Sequence, residues 1–161
     1  MLVSINDLPD SARVWIYQAN KDLNADQKVF VEKQSANFCK QWTAHGADLK
    51  ASFQVVNDRF LILANDEEQN VASGCSIDTS VHFVTALGLE LDLDFLDREQ
   101  VGFLVDKNIL SINLGELKEE IEQGNIKPSS ITFNLQAKHI ADFREKWLIP
   151  AKETWMKRYF K

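Results

Sequence analysis

Ala51-Ser52-Phe53-Gln54-Val55-Val56-Asn57-Asp58-Arg59-Phe60-Leu61-Ile62-Leu63-Ala64 is a pair of apolar runs around a polar dipeptide, the pattern of a β-hairpin closed at Asn57-Asp58. With Val56 opposite Arg59, pairing outward sets Val55 against Phe60, Phe53 against Ile62 and Ala51 against Ala64, so six apolar residues share one face. Ser52, Gln54, Val56, Arg59, Leu61 and Leu63 fall on the other. That mixed face is either partly solvated or covered by a smaller element.

Upstream, Arg13–Gln18 holds the strand formers Val14, Trp15, Ile16 and Tyr17 and reads as a first strand. Asn24 with Gln27 three residues on has the form of a reciprocal helix cap, and Val31, Ser35, Phe38, Trp42 and His45 then mark one face of a long helix that Gly46 stops. Downstream, residues 66–70 read as a solvated loop. Ser73-Gly74-Cys75-Ser76 leads into a second helix with Ile77, Val81, Val84 and Leu87 on one stripe, ended or loosened by Gly88. Strands are expected at 101–105 and 109–112. A short acidic helix capped by Asn113 follows, with Leu114, Leu117 and Ile121 inward and Gly124 closing it, then an edge strand at 131–133 and helices at 138–147 and 151–160. The order β-α-β-β-α-β, with an extra hairpin strand and C-terminal helices, gives an α+β class. The expected fold is an antiparallel or mixed sheet with helices on one face and a ferredoxin-like core, in a single domain over residues 1–161.

The 161 residues include 45% hydrophobic and 26% charged side chains, and a chain of this length buries roughly 70% of its unfolded surface. Eighteen basic and 24 acidic residues leave a net charge of −6, which favours solubility and argues against a general nucleic-acid binder. The N-terminus has Asp7 and Asp10 without a basic residue or a long apolar run, so no secretory signal is read there, and no segment approaches a membrane span. Two cysteines, Cys39 and Cys75, then point to free thiols in a reducing, cytoplasmic setting.

Chemistry concentrates at Gly74-Cys75-Ser76-Ile77-Asp78. A thiol at the start of a helix lies near unpaired N–H groups and the positive end of the dipole, which favour a thiolate, an anion or an oxyanion. The same residues also fit an inert cysteine beside a capping Ser76 or Asp78. A nucleophilic cysteine needs a base. His82, seven residues on, would be roughly 10 Å away along a helix axis. His45 could approach only through tertiary folding and otherwise reads as a packing histidine, and His139 has no visible partner. Asp92-Leu93-Asp94-Phe95-Leu96-Asp97 begins like a calcium loop but has Asp97 where glycine is required. No zinc spacing, G-x-x-x-x-G-K-[ST] loop or G-x-G-x-x-G turn occurs, so neither a metal nor a cofactor is expected. Residues 138–161 carry seven basic and three acidic residues interleaved with Trp147, Trp155, Met156, Tyr159 and Phe160. They fit either a surface for an acidic partner or a final helix burying Ala151, Trp155 and Tyr159.

Ala12-Arg13-Val14-Trp15-Ile16-Tyr17-Gln18-Ala19-Asn20, Trp42-Thr43-Ala44-His45-Gly46 and Ala72-Ser73-Gly74-Cys75-Ser76-Ile77-Asp78, with Lys146-Trp147, Pro150, Trp155, Lys157 and Arg158, span nearly the whole chain. Together they resemble a family of short, uncharacterised bacterial proteins often labelled "ABC transporter ATPase". The label implies ATP binding. The sequence departs from it in lacking the phosphate loop, and the family brings no catalytic residues to particular positions here.

Two functions from different classes follow. In the first, a non-catalytic binding or adaptor domain holds a small anionic ligand or a protein partner on a rim of Trp42, His45, Arg59, Ser73, Gly74, Ser76 and Asp78, with the Arg59 guanidinium supplying charge. In the second, a hydrolase or transferase uses Cys75 as nucleophile and His45 as base. ATP binding without a phosphate loop is a third.

Overall fold

In the computed structural model, which describes residues 1–160, the hairpin forms with one residue more in its connection than the spacing implies. The chain is α+β and divides into two compact units, Met1–Asp97 with Lys138–Ala141, and Arg98–Ala137 with residues 142–160.

The first unit runs β1 (Arg13–Gln18), α1 (Ala25–Gln41), β2 (Thr43–Ala44), β3 (Ala47–Asp48), β4 (Ala51–Val56), β5 (Phe60–Asn65) and α2 (Gly74–Leu91). Asn57 and Asp58 both take left-handed backbone angles, and the Arg59 N–H donates to the Val56 carbonyl at 3.1 Å, so the expected tight turn closes. Arg59 then stays out of the ladder. Pairing resumes with Val56 opposite Phe60, Val55 opposite Leu61 and Phe53 opposite Leu63, a slip of one residue from the expected register. The cause lies in the connection after β1: the Ala19 N–H donates to Arg59 O at 2.9 Å, the Leu23 N–H donates to Asp58 O at 2.7 Å, and the Arg59 side chain pairs with Asp22.

The sheet order is β1-β5-β4, with Trp15 opposite Leu63 and Tyr17 opposite Leu61, so α1 links two strands that run the same way with β5 between them. This matches the first half of a ferredoxin-like sheet. The strand expected to complete it lies in a different sheet, where neighbours occupy both of its sides. Among the described residues, the outer side of β1 carries isolated bridges, to Leu96 at Gln18 and to His139 at Arg13. Every residue of β5 is buried. Trp15, Tyr17, Phe53, Val55, Leu61 and Leu63 share a core with Val31 and Cys39 of α1 and Val84 and Leu87 of α2.

The start of α1 follows the sequence reading: Asn24 accepts from the Gln27 N–H at 2.8 Å, and the Gln27 side chain accepts from the Asn24 N–H at 2.9 Å. Its end does not. Trp42 is already extended, and His45 and Gly46, both left-handed, form the turn between β2 and β3, so Gly46 serves a hairpin rather than a helix stop. α2 is capped by Ser73 and continues through Gly88 to Leu91. Asp66, expected in a solvated loop, is buried and accepts from Lys50 Nζ at 3.4 Å and from the Glu68 N–H at 3.0 Å.

The second unit contains β6 (Gln100–Val105), β7 (Asn108–Asn113), α3 (Leu117–Glu122), β8 (Ile131–Phe133), most of α4 (Ile140–Lys146) and β9 (Leu148–Pro150), with sheet order β7-β6-β8-β9. β8, expected at an edge, is therefore central. Asn113 accepts from the Gly115 N–H at 2.9 Å instead of capping α3, Leu114 is exposed, and Leu117 is buried. The expected last helix is two 3-10 turns, Ala151–Glu153 and Trp155–Tyr159. Thr154 separates them, because its hydroxyl donates to Ala151 O at 2.7 Å and accepts from the Met156 N–H at 3.1 Å. Ala151 and Met156, rather than Trp155, are the buried residues there. They pack with Phe103, Ile112, Leu117 and Ile126. Among the described residues, no helix is long and apolar enough to cross a membrane.

Candidate functional site

Trp42 is 2% exposed, with its ring edge-on to Trp15 at 5.4 Å and tilted on Phe38 at 5.1 Å. Its Nε1–H donates to the Ser76 carbonyl at 2.8 Å, tying the end of α1 to the first turn of α2. Ser73 Oγ accepts from the Ser76 N–H at 3.1 Å, and the buried Ser76 hydroxyl donates back to Ser73 O at 2.8 Å. One turn on, Ser80 Oγ bonds Tyr17 Oη at 2.8 Å. Burial pushes the Tyr17 phenol above its ordinary range, against the opposing effect of that hydrogen bond.

These bonds leave an exposed strip at the start of α2 comprising Gly74, Cys75 and Asp78. The Ser76 N–H goes to Ser73 Oγ and the Ile77 N–H to Ser73 O. Those of Gly74 and Cys75 have no acceptor among the described residues, and the first turn carries no acid. A Cβ built on Gly74 meets nothing within 4 Å, so space stands open over it. The strip therefore offers N–H dipoles without a partner in the chain to an anion.

Of the residues expected on one rim, Trp42, Ser73 and Ser76 come together, and β2 contacts α2. His45 is exposed on the β2–β3 turn, and no hydrogen bond joins it to Cys75 among the described residues. Arg59 lies elsewhere. Trp42 packs on Trp15, whose partner Leu63 is four residues along β5 from Arg59, roughly 13 Å at 3.3 Å per residue. Arg59 is only 6% exposed and its Nε donates to Asp22 Oδ1 at 2.9 Å, which holds the hairpin turn against the loop before α1.

The two thiols differ. Cys75 is exposed, whereas burial pushes the Cys39 thiol from 9.0 up to about 12. In the native protein one thiol should react with a disulfide reagent at neutral pH, with Cys39 following only on unfolding. A native titre of two would contradict this burial. Because the folded state keeps the Cys39 proton where the unfolded state loses it, stability should fall by about 1.4 kcal/mol per pH unit between pH 9 and 12. A Cys39→Ala variant should lack that part of the slope.

Among the described residues no group of three His, Cys, Asp or Glu side chains is arranged to hold a metal. One surface escaped the sequence reading. Leu89 lies just past Gly88 and off the buried stripe, and it is 80% exposed beside a shallow hollow of about 210 Å3. Its position off the helical period was the available signal. Against protein-family models, curated proteins and solved structures, the chain finds no match.

Proposed function

We propose that the chain is a non-catalytic binding domain that takes a small anion, or a carboxylate or phosphate group of a partner, at the first turn of α2. The N–H groups of Gly74 and Cys75, without an acceptor among the described residues at a helix start that Ser73 caps and Trp42 ties, carry this reading. The tie matters because Trp42 and the two serines fix the turn before any ligand arrives, so little ordering entropy opposes binding. Arg59 has no part in it, being engaged by Asp22 at the far end of the hairpin. A thiol hydrolase or transferase built on Cys75 and His45 has less support, since the exposed thiol has no hydrogen-bonded base among the described residues.

Gly74→Pro is the test. Proline suits the first helical position, Ser73 before it is already extended at φ −86° and ψ 167°, and the substitution removes the Gly74 N–H while the fold is retained. Thermal unfolding is followed as inorganic phosphate is added. The wild type should gain about 2.7 kcal/mol at a hundred times its dissociation constant, beyond the general salting effect that both proteins share. Equal gains in wild type and Gly74→Pro would overturn the proposal. The same titration with Mg-ATP reads the nucleotide binding that the family label implies.

A further inference from the structure

β7 stands at the end of its sheet with β6 as its strand neighbour, so one side of its backbone faces away from the ladder. The pairing fixes which groups it presents there. The Leu114 N–H donates to Glu99 O at 2.6 Å, and Val105 and Asn108 flank a two-residue turn, so Asn108, Leu110 and Ile112 direct their backbone groups to β6. Those of Ile109 and Ser111 alternate to the open side. Sheet edges are ordinarily shielded by a charge, a proline, a bulge or a covering segment. β9, at the other edge of this sheet, is three residues long and ends in Pro150. In the first sheet, β1 is bridged by Leu96 and His139, and β4 by Leu2. β7 has no such shield among the described residues: Asn108–Asn113 contains no charge or proline, its register with β6 runs unbroken over six pairs, and no bridge from outside the sheet reaches it.

We infer that β7 pairs antiparallel with β7 of a second copy of this chain, about a two-fold axis at Leu110. Self-complementarity selects the occupant. An axis there sets Ile109 opposite Ser111 of the copy on both sides, so the open-side groups meet as hydrogen-bonded pairs. Leu110 then faces its own equivalent in the close, non-hydrogen-bonded position, where side chains approach most nearly. That leucine is 47% exposed although its β6 partner, Phe103, is buried, and Val105 on the same face is 49% exposed. Strand pairing covers this apolar side chain and, with no charge in β7, sets no like charges against each other within the strand. Other axes fit less well. One placed between two residues opposes open-side groups to groups already spent on β6, and one at Ser111 calls on the Asn113 carbonyl, which accepts from the Glu116 N–H at 2.9 Å.

Sedimentation velocity from about 5 to about 500 µM should show a concentration-dependent equilibrium of monomer and dimer. Leu110→Lys sets two ammonium groups against each other at the axis and should raise the dimer dissociation constant about tenfold or more. Its site is exposed, so circular dichroism should be unchanged. Leu148→Lys, at the exposed leucine of β9, is the control and should leave the equilibrium as it is. Amide exchange of the wild type reads the strand pairing itself and needs no substitution. The Ile109 N–H should exchange about tenfold more slowly as the dimer fills, while the Leu110 N–H, directed to β6, should change little. A dimer with Ile109 exchange unchanged would overturn the inference, and so would a dimer that Leu110→Lys leaves intact. A chain that stays monomeric over the whole range would overturn it as well and would leave the edge to a strand of another protein.

Discussion

Trp42→Ala should destabilise the protein by about 3–5 kcal/mol in urea denaturation, the range for emptying a large aromatic site in a core. Three contacts go at once: the edge contact to Trp15, the tilted contact to Phe38, which itself stacks on Phe83 at 4.4 Å, and the hydrogen bond to Ser76 O. Trp42→Phe keeps much of the ring packing and removes the donor, so it should cost about 1–3 kcal/mol. If Trp42→Ala fell within 1 kcal/mol of the wild type, the indole would not be what joins α1 to α2. The functional consequence is separate and measurable. With its tie cut, the first turn of α2 loses its fixed position, and Trp42→Phe should weaken phosphate binding more than its stability loss explains.

For Gly88→Ala, the helix-propensity and packing contributions predict opposite signs. Alanine is the better helix former by about 1 kcal/mol, which predicts a gain at this helical position in the last turn of α2. A Cβ at this position, however, collides with the Leu93 backbone carbonyl, an atom with no rotamer to move into. The Leu93 N–H also donates to Gly88 O at 2.9 Å, and the buried Leu93 and Phe95 follow directly after the turn at Asp92. Overpacking should win, with a net loss of about 1–3 kcal/mol. Gly74→Ala, in open space, is the control and should be neutral or slightly stabilising. A stabilised Gly88→Ala would mean that the chain after α2 is free to move away.

Features decided within a few residues were legible in the sequence. The bounds of β1 follow from its run of strand formers, the cap of α1 from Asn24 and Gln27, and the tight turn from Asn57-Asp58. Features decided by distant partners were not. The register slipped because Asp22 and Ala19, far from Arg59 in sequence, hold that residue out of the ladder. The apolar period of α1 runs on through His45, yet His45-Gly46 is also a good hairpin turn, and periodicity alone could not rank the two. In the tail, Thr154 offered its hydroxyl to the backbone and split one expected helix into two short turns. The candidate site shows the same division. Ser73 to Asp78 was placed at a helix start by local signals, and Trp42 joined it. Arg59 was assigned to the rim from a register that the fold does not adopt.

Residue-resolved amide shifts during a titration with inorganic phosphate test the central claim most directly. The account predicts saturable shifts at Gly74 and Cys75, with Phe60 beside Arg59 unmoved, and their loss at Cys75 in the Gly74→Pro variant. Shifts that never saturate, or that gather at residues outside the first turn of α2, would contradict it.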